Sequence, residues 1–332
     1  MDAMGGDFAP LETVKGAALA LREDPELEVI LVGDRERIEK ILAQEGIGAG
    51  RITIEHAREV VTCSDDPLKA LRRKENSSIA RAVEMGAARE ADAVVGVGNT
   101  GAAVAAAIFA LKLLEGVRRA GIATFLPTVK GRTVVIDVGA NLRCKPEQLF
   151  QYGVMASVYT QLFLDKPKPT IKLLNVGEEE GKGTDLVKET RRLFLEADVN
   201  FKGNIEGHEV FLDPVDVVVC EGFVGNVVLK VSEGLAETMG IMLGKHYAMD
   251  PERSEEDRRG IRKALEWVRD RTDYREYGGA PLLGVNGAFI VGHGRSDARA
   301  VANAIRSAKR LASARVNDRI VEELRRLTPA KP

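Results

Sequence analysis

Five glycine-rich turns constrain this chain more than any other feature. They are Gly96–Gly101 (GVGNTG), Asp137–Asn141 (DVGAN), Asn175–Gly177 running on to Gly181–Gly183 (GKG), Gly222–Asn226 (GFVGN) and Val291–Gly294 (VGHG). Each follows a short β-branched run, and four lead straight into a helical pattern. Asp2–Asp7 (DAMGGD) adds a sixth glycine-rich piece at the start of the sequence. A strand that ends in glycine and hands over to a helix leaves unpaired N–H groups pointing outward, and glycine lets a ligand approach the backbone. One such turn says little. Several, most carrying Asn or Lys, describe a cleft that grips a phosphate and something attached to it.

Strand-like runs occupy Glu28–Val32, Arg51–Ile54, Asp92–Val95, Thr133–Val138, Thr170–Val176, Asp216–Cys220 and Ala288–Val291. Helical spacing fills Leu11–Arg22, Arg35–Gln44, Ser77–Glu90, Thr100–Leu114, Pro146–Phe163, Thr184–Glu196 and Asn226–Tyr247. This alternation predicts an α/β fold with a largely parallel sheet, and the strands are apolar throughout, as expected when helices cover both faces. One region breaks the pattern. Asn226–Tyr247 is followed by Pro251 and a second helical run, Glu255–Arg271, with no strand between them. The spacing predicts an αα-hairpin over residues 226–272, with an apolar stripe including Val231, Leu235 and Met239 that a second subunit would cover. A last long helix is expected over Asp297–Leu327. No repeat or flexible linker divides the 332 residues, which read as a single α/β domain.

With 48 basic and 50 acidic residues, the net charge of −2 argues against general nucleic-acid binding. Cys63, Cys144 and Cys220 are far apart and odd in number, so no disulfide framework or zinc spacing exists and a reducing cytosol is the expected setting. No signal peptide opens the sequence, and the longest apolar stretch, Ala102–Leu114, is broken by Lys112 and too short to span a bilayer.

Gly96–Gly101 matches the dinucleotide fingerprint after a strand and before a helix. The acid that should follow about 20 residues on to hold a ribose is missing. A phosphate site without a nucleotide is the better reading. Lys182, between two glycines, is a candidate anion ligand. Asn226 opens a helix after Gly225 and is expected to cap it, with its amide also available to a reacting oxygen; Asn99 and Asn141 share that ambiguity. No G-x-S-x-G elbow marks a hydrolase serine. Cys144 lies between Arg143 and Lys145, which could depress its pKa, whereas Cys220 ends an apolar strand and reads as structural. His293 sits between glycines in a turn and is a candidate phosphate contact, while His56, His208 and His246 show no pairing. No HExxH, paired His or Asp cluster marks a metal, and no cofactor is expected. Arg72, Arg73 and Lys74 form a cationic run that could dock an acidic partner.

These motifs carry a resemblance. DAMGGD with Ala9-Pro10, VGD at Val32–Asp34, the run Arg72–Ser78, GNTGA at Gly98–Ala102, LPTV at Leu126–Val129, DVGAN, KPE at Lys145–Glu147, LLNVG at Leu173–Gly177, GKG, GFVGN, YGGA at Tyr277–Ala280 and HG-x-SD at His293–Asp297 follow one another in the order seen in the phosphate acyltransferases of bacterial phospholipid synthesis. The resemblance runs nearly end to end. It implies a Rossmann-like fold related to phosphotransacetylases and isopropylmalate dehydrogenases, and a homodimer. It also implies transfer of a long-chain acyl group from acyl-acyl-carrier protein to inorganic phosphate, feeding a membrane glycerol-3-phosphate acyltransferase. By likeness, Lys182 and Asn226 are the catalytic candidates, and Asp2, Gly5, Gly6, Asn99, Thr100, Asn141 and His293 would line the cleft.

Three departures stand out. Phe8 replaces the family's histidine, so no role for that histidine carries over. The family's chain starts a few residues earlier with a first strand, whereas here Met1 directly precedes DAMGGD; either that strand is missing or the start is placed too late. Family members can touch membranes through an apolar hairpin tip, but Met249–Asp257 is acidic here and would be repelled by anionic lipid.

The mechanism that these residues support makes phosphate itself the nucleophile. Glycine-rich turns would hold it in line with a thioester carbonyl, and Lys182 or Asn226 would stabilise the oxyanion. Helices Thr100–Leu114 and Pro146–Phe163 are the expected walls of an acyl groove.

Overall fold

A computed structural model describes residues 1–48, 50–212, 215–248, 254–272 and 278–327. It shows a mostly parallel sheet covered by helices. The first half runs α1 (Leu11–Glu23), β1 (Val29–Gly33), α2 (Arg35–Gln44), β2 (Ile52–His56), α3 (Pro67–Arg73), α4 (Ser78–Ala87), β3 (Ala93–Val97), α5 (Thr100–Leu111), β4 (Gly121–Thr128), β5 (Gly131–Ile136) and α6 (Pro146–Leu164). The second half continues with β6 (Ile171–Asn175), α7 (Asp185–Glu196), β7 (Phe201–Glu206), β8 (Val217–Val219), α8 (Gly222–Leu243), α9 (Glu255–Thr272), β9 (Ala280–Leu283), β10 (Ala288–Gly292), α10 (Ala298–Ser313) and α11 (Val316–Leu327).

Eight strands form one sheet in the order β3-β10-β9-β4-β5-β8-β6-β7, and β1 and β2 form a parallel pair. Residues Met1–Ala3 lie between the two sheets. Asp2 N–H donates to Val95 O in β3, Ala3 N–H donates to Val32 O in β1, and Val32 N–H donates back to Met1 O. β5 and β8 carry buried Val and Ile runs, Val134–Ile136 and Val217–Val219, as two-sided coverage requires, and β6 buries Ile171 and Leu173.

The chain directions decide where the turns go. β10 is parallel to β3, and β5, β8, β6 and β7 are mutually parallel. Between these groups lie three antiparallel pairings, β10/β9, β9/β4 and β4/β5. The two groups therefore run in opposite senses. Turns after β3 and β10 leave one edge of the sheet, and turns after β5, β8 and β6 leave the other.

Three strands escape the sequence pattern. β4 contains Pro127 and β9 contains Pro281, and proline ordinarily demotes a run to an edge or a loop. β7, at the sheet edge, carries Gly203 and Asn204 among its apolar residues. The expected single C-terminal helix is two helices, because Arg315 adopts a left-handed φ of 50° and redirects the chain between α10 and α11. α8 begins at Gly222, four residues before the expected start. Glu221 stands at its N-cap, so Asn226 lies in the second turn and caps nothing.

α8 and α9 follow each other without a strand among the described residues. The expected tip at Met249–Asp257 and the Tyr277 of the YGGA motif fall wholly or partly outside them. No described helix is long and apolar enough to cross a membrane.

α1 packs directly on α10. A Cβ at Gly16 would stand 2.4 Å from Val301 Cβ and 2.8 Å from Ala298 O, both inside the helix interface. Gly16→Ala forces the two helices apart and is expected to cost about 1–3 kcal/mol, the range for overpacking a core. A urea midpoint unchanged from the parent protein would contradict this packing.

Candidate active site

The turn after β5 is organised by one carboxylate. Asp137 is fully buried. Its Oδ1 accepts from the backbone N–H of Ile122 (3.1 Å), Gly139 (3.0 Å) and Ala140 (2.9 Å), and its Oδ2 from Asn141 N–H (2.8 Å) and Asn141 Nδ2 (3.2 Å). Burial pushes the Asp137 carboxyl above its ordinary value, while these donors pull it down. Asn141 completes the arrangement. Its amide donates to Ala120 O at 2.6 Å and to Tyr152 Oη at 2.8 Å, and its Oδ1 accepts from Arg119 at 3.4 Å. The Asn141 side chain is thus occupied in holding the turn.

The start of α8 sits directly on this turn. A Cβ at Gly225 would lie 1.9 Å from Asp137 O, and one at Gly222 would lie 2.6 Å from Asn141 O. Only glycine permits that approach. It places Asn226 beside Gly139, whose missing Cβ would sit 3.6 Å from Asn226 Oδ1. The Asn226 side chain is exposed, and among the described residues its amide has no hydrogen-bond partner.

Lys182 lies in the loop after β6, the strand beside β8. Asn175 clamps that loop by donating from Nδ2 to Gly177 O (3.0 Å) and Lys182 O (3.2 Å). Gly183 has φ +93°, and a Cβ there would collide with Asn175 Oδ1 at 2.2 Å. The Lys182 ammonium is paired with Glu179 at 2.8 Å, which raises its pKa and keeps it charged. The sequence reading missed Asn175; its position at the end of a strand, within reach of both glycine turns, was the available signal.

At the other edge, the N-terminal loop and the turns after β3 and β10 interlock. A Cβ at Gly5 would stand 1.8 Å from Val97 O, and Gly6 abuts Gly294 O. Asp7 N–H donates to Gly294 O at 2.8 Å. Asp2 is buried and accepts from the N–H of Met4 (3.0 Å) and Gly5 (3.2 Å), so its carboxyl serves the loop. Asn99 caps α5 through Ala102 N–H and donates to Thr62 O and Asp65 O, each at 3.0 Å. Thr100, at the first position of α5, is exposed.

α8 joins the two edges. From its start on the Asp137 turn it carries Lys230 to His293, with Nζ and Nε2 2.9 Å apart. The candidates therefore do not gather at one edge of the sheet. They form two groups bridged by this helix.

The chain matches the family described as fatty acid synthesis protein over residues 1–319. The chain belongs to this family. A phosphate acyltransferase of Geobacter sulfurreducens is 44% identical over 324 residues, covering 98% of this chain and 93% of the relative. One from Desulfitobacterium hafniense is 45% identical over 332 residues, covering 100% of this chain and 98% of the relative. A phosphotransacetylase from Streptococcus pyogenes superposes with a TM-score of 0.62 at 18% identity, covering 91% of each chain. The EutD phosphotransacetylase of Staphylococcus aureus gives 0.57 at 15% identity, covering 91% of this chain and 90% of the other. The fold is that of the phosphotransacetylases, and this member of the fatty acid synthesis protein family is an acyltransferase.

One expectation is corrected. The cations beside Cys144 do not lower its pKa. Its Sγ faces Asn141 O and Tyr152 Oη at 3.9 Å, and burial pushes the thiol up to about 11. Of the helices expected to wall an acyl groove, α5 is buried over Ala102–Ala107 except Ala105 and exposes Phe109, and α6 is buried through most of Leu149–Thr160.

Cys63 is the exposed cysteine and Cys220 is buried. At pH 8 a thiol reagent is expected to label Cys63 first and Cys144 only on unfolding, and Cys144→Ser is expected to retain activity within about threefold of the parent. Rapid native labelling of Cys144, read by peptide mass spectrometry, would overturn this assignment.

Proposed function

We propose that this enzyme transfers a long-chain acyl group from an acyl-carrier-protein thioester to inorganic phosphate, giving acyl phosphate for phospholipid synthesis. The names of the relatives support phosphate as acceptor. The observation that carries the long acyl group is the exposure of three apolar side chains close in sequence to the candidate site residues. Leu142 follows the Asp137 turn and is 67% exposed, Val176 opens the Lys182 loop at 77%, and Phe223 in the first turn of α8 is 58% exposed. An acyl chain laid on such side chains gains about 0.8 kcal/mol per buried methylene.

Phosphate is anionic at neutral pH, so one of its oxygens attacks the thioester carbonyl without a protein nucleophile. The C–S bond breaks as the C–O bond forms, and the thiolate leaves with a conjugate-acid pKa near 8.5 by analogy with cysteine. Asn226 donates its unoccupied amide to the developing oxyanion. Lys182 supplies positive charge after exchanging Glu179 for substrate. Loss of one such donor costs about 10²–10³ in rate.

Arg72 and Arg73 are exposed at the end of α3 and are assigned to docking the acidic carrier. Lys74 belongs to that run, but its ammonium is committed to Asp65 at 2.7 Å and Val60 O at 2.8 Å. The remaining apolar face of α8 includes Val231, Leu235, Met239 and Met242, each more than half exposed. It is assigned to a homodimer contact in the cytoplasm.

Incubating the protein with palmitoyl-carrier protein is expected to release thiol only when phosphate is present. Lys182→Ala and Asn226→Ala are each expected to slow release about 10²–10³-fold without lowering Tm. Phosphate-independent release, or none from folded protein, contradicts the reading. Reversing Arg72 and Arg73 to Glu is expected to raise the apparent KM for the carrier about tenfold, with the KM for phosphate unchanged. An unchanged carrier KM removes the docking assignment.

A further inference from the structure

The stretch that follows the Asp137 turn gathers positive charge. Arg143 and Lys145 lie on it, and both are exposed. Two further arginines bracket it from the loop before β4. Arg119 Nη1 donates to Asn141 Oδ1 at 3.4 Å, and Arg118 Nη1 lies 3.6 Å from Glu147 Oε2 in the first turn of α6. That loop is fixed in place. Arg118 N–H donates to Gln151 Oε1 at 2.9 Å, and Gly116 O accepts from Gln151 Nε2 at 2.7 Å.

Few carboxylates answer these cations. Glu147 is taken by Arg118, and Glu221 and the buried Asp137 are the negative charges that act on Cys144, between Arg143 and Lys145. Arg119, Arg143 and Lys145 have no salt-bridge partner among the described residues. Cations on α7 and α11 show the alternative: Arg192 pairs with Glu189 and Glu196, and Arg326 with Asp198 and Glu323. Charge left unpaired on a surface steers an oppositely charged protein to it.

Position gives this charge a use. Asn141, at the start of the stretch, receives α8, since Gly222 N–H donates to Asn141 O at 2.9 Å. Asn226 stands four residues further along that helix, about one turn or 6 Å of rise. We propose that Arg119, Arg143 and Lys145 form a docking surface for the acidic face of the acyl-carrier protein, seating the carrier at the Asn226 edge of the site. This rests on the reading of the enzyme as one that takes a carrier-linked acyl group. Arg72 and Arg73 belong to the other group of turns, beside the loop whose Asp65 O accepts from Asn99, so the two cationic surfaces are separable by mutation.

Fluorescence anisotropy of labelled carrier protein, with and without its thiol-bearing arm, tests the surface apart from turnover. The parent is expected to bind both forms at low ionic strength and to lose affinity as salt is raised. Arg143→Glu with Lys145→Glu is expected to weaken both forms about tenfold, and Arg143→Gln with Lys145→Gln about threefold, with Tm unchanged. In steady-state kinetics the charge reversal is expected to raise the KM for palmitoyl-carrier protein by the same factor and to leave the KM for phosphate unchanged. Carrier affinities within twofold of the parent in the folded variants overturn the proposal. A parent that binds only the arm-bearing form also overturns it, because the cations then hold the arm's phosphodiester and not the carrier's face. A parent that binds the carrier through this surface yet shows no phosphate-dependent thiol release keeps the docking site and loses the proposed reaction.

Discussion

The buried Asp137 carboxylate is the contact on which the site depends. It gathers N–H groups from its own turn, from β4 and from the Asn141 amide, and so makes a tight, rigid platform at the end of β5. A buried carboxylate is costly unless it is well hydrogen-bonded, and this one is. The platform matters because α8 lands on it through two glycines. Asn226 takes its position from that contact.

α8 carries this contact from one group of turns to the other. The sheet sends its glycine-rich turns out of opposite edges, since three antiparallel pairings separate β10 from β5. A parallel sheet alone would have aligned them. A helix that starts on one group and brings Lys230 to the other supplies the missing connection. The three asparagines show how the site divides labour. Asn99 and Asn141 spend their amides on a cap and a turn, while the Asn226 amide faces solvent. Identical residue types in similar motifs thus separate into two that hold the scaffold and one, Asn226, whose amide is unengaged among the described residues.

Much of this was legible in the sequence. The apolar runs and helical spacing located β1, β3, β5, β6, β8 and β10 and the helices between them, because these elements are long or buried enough to carry a clear period. β4 and β9 were hidden by internal prolines, and β7 by its polar edge character. The division at Arg315 had no glycine or proline to announce it. The glycine-rich turns could be placed at strand ends, but sequence could not tell that Lys74 is tied to Asp65 or that Cys144 is desolvated, since both depend on how the chain folds around them. The Lys230–His293 contact joins positions 63 residues apart and belongs to no single motif.

The central claim is that phosphate oxygen attacks the thioester directly. It is tested by supplying phosphate labelled at every oxygen with the heavy isotope and reading the acyl phosphate by phosphorus NMR. Direct attack predicts that phosphorus keeps all of its heavy oxygens, one of them now bridging to the acyl carbon. A product that has lost one heavy oxygen, as when a free carboxylate forms first and then attacks phosphorus, would contradict the account.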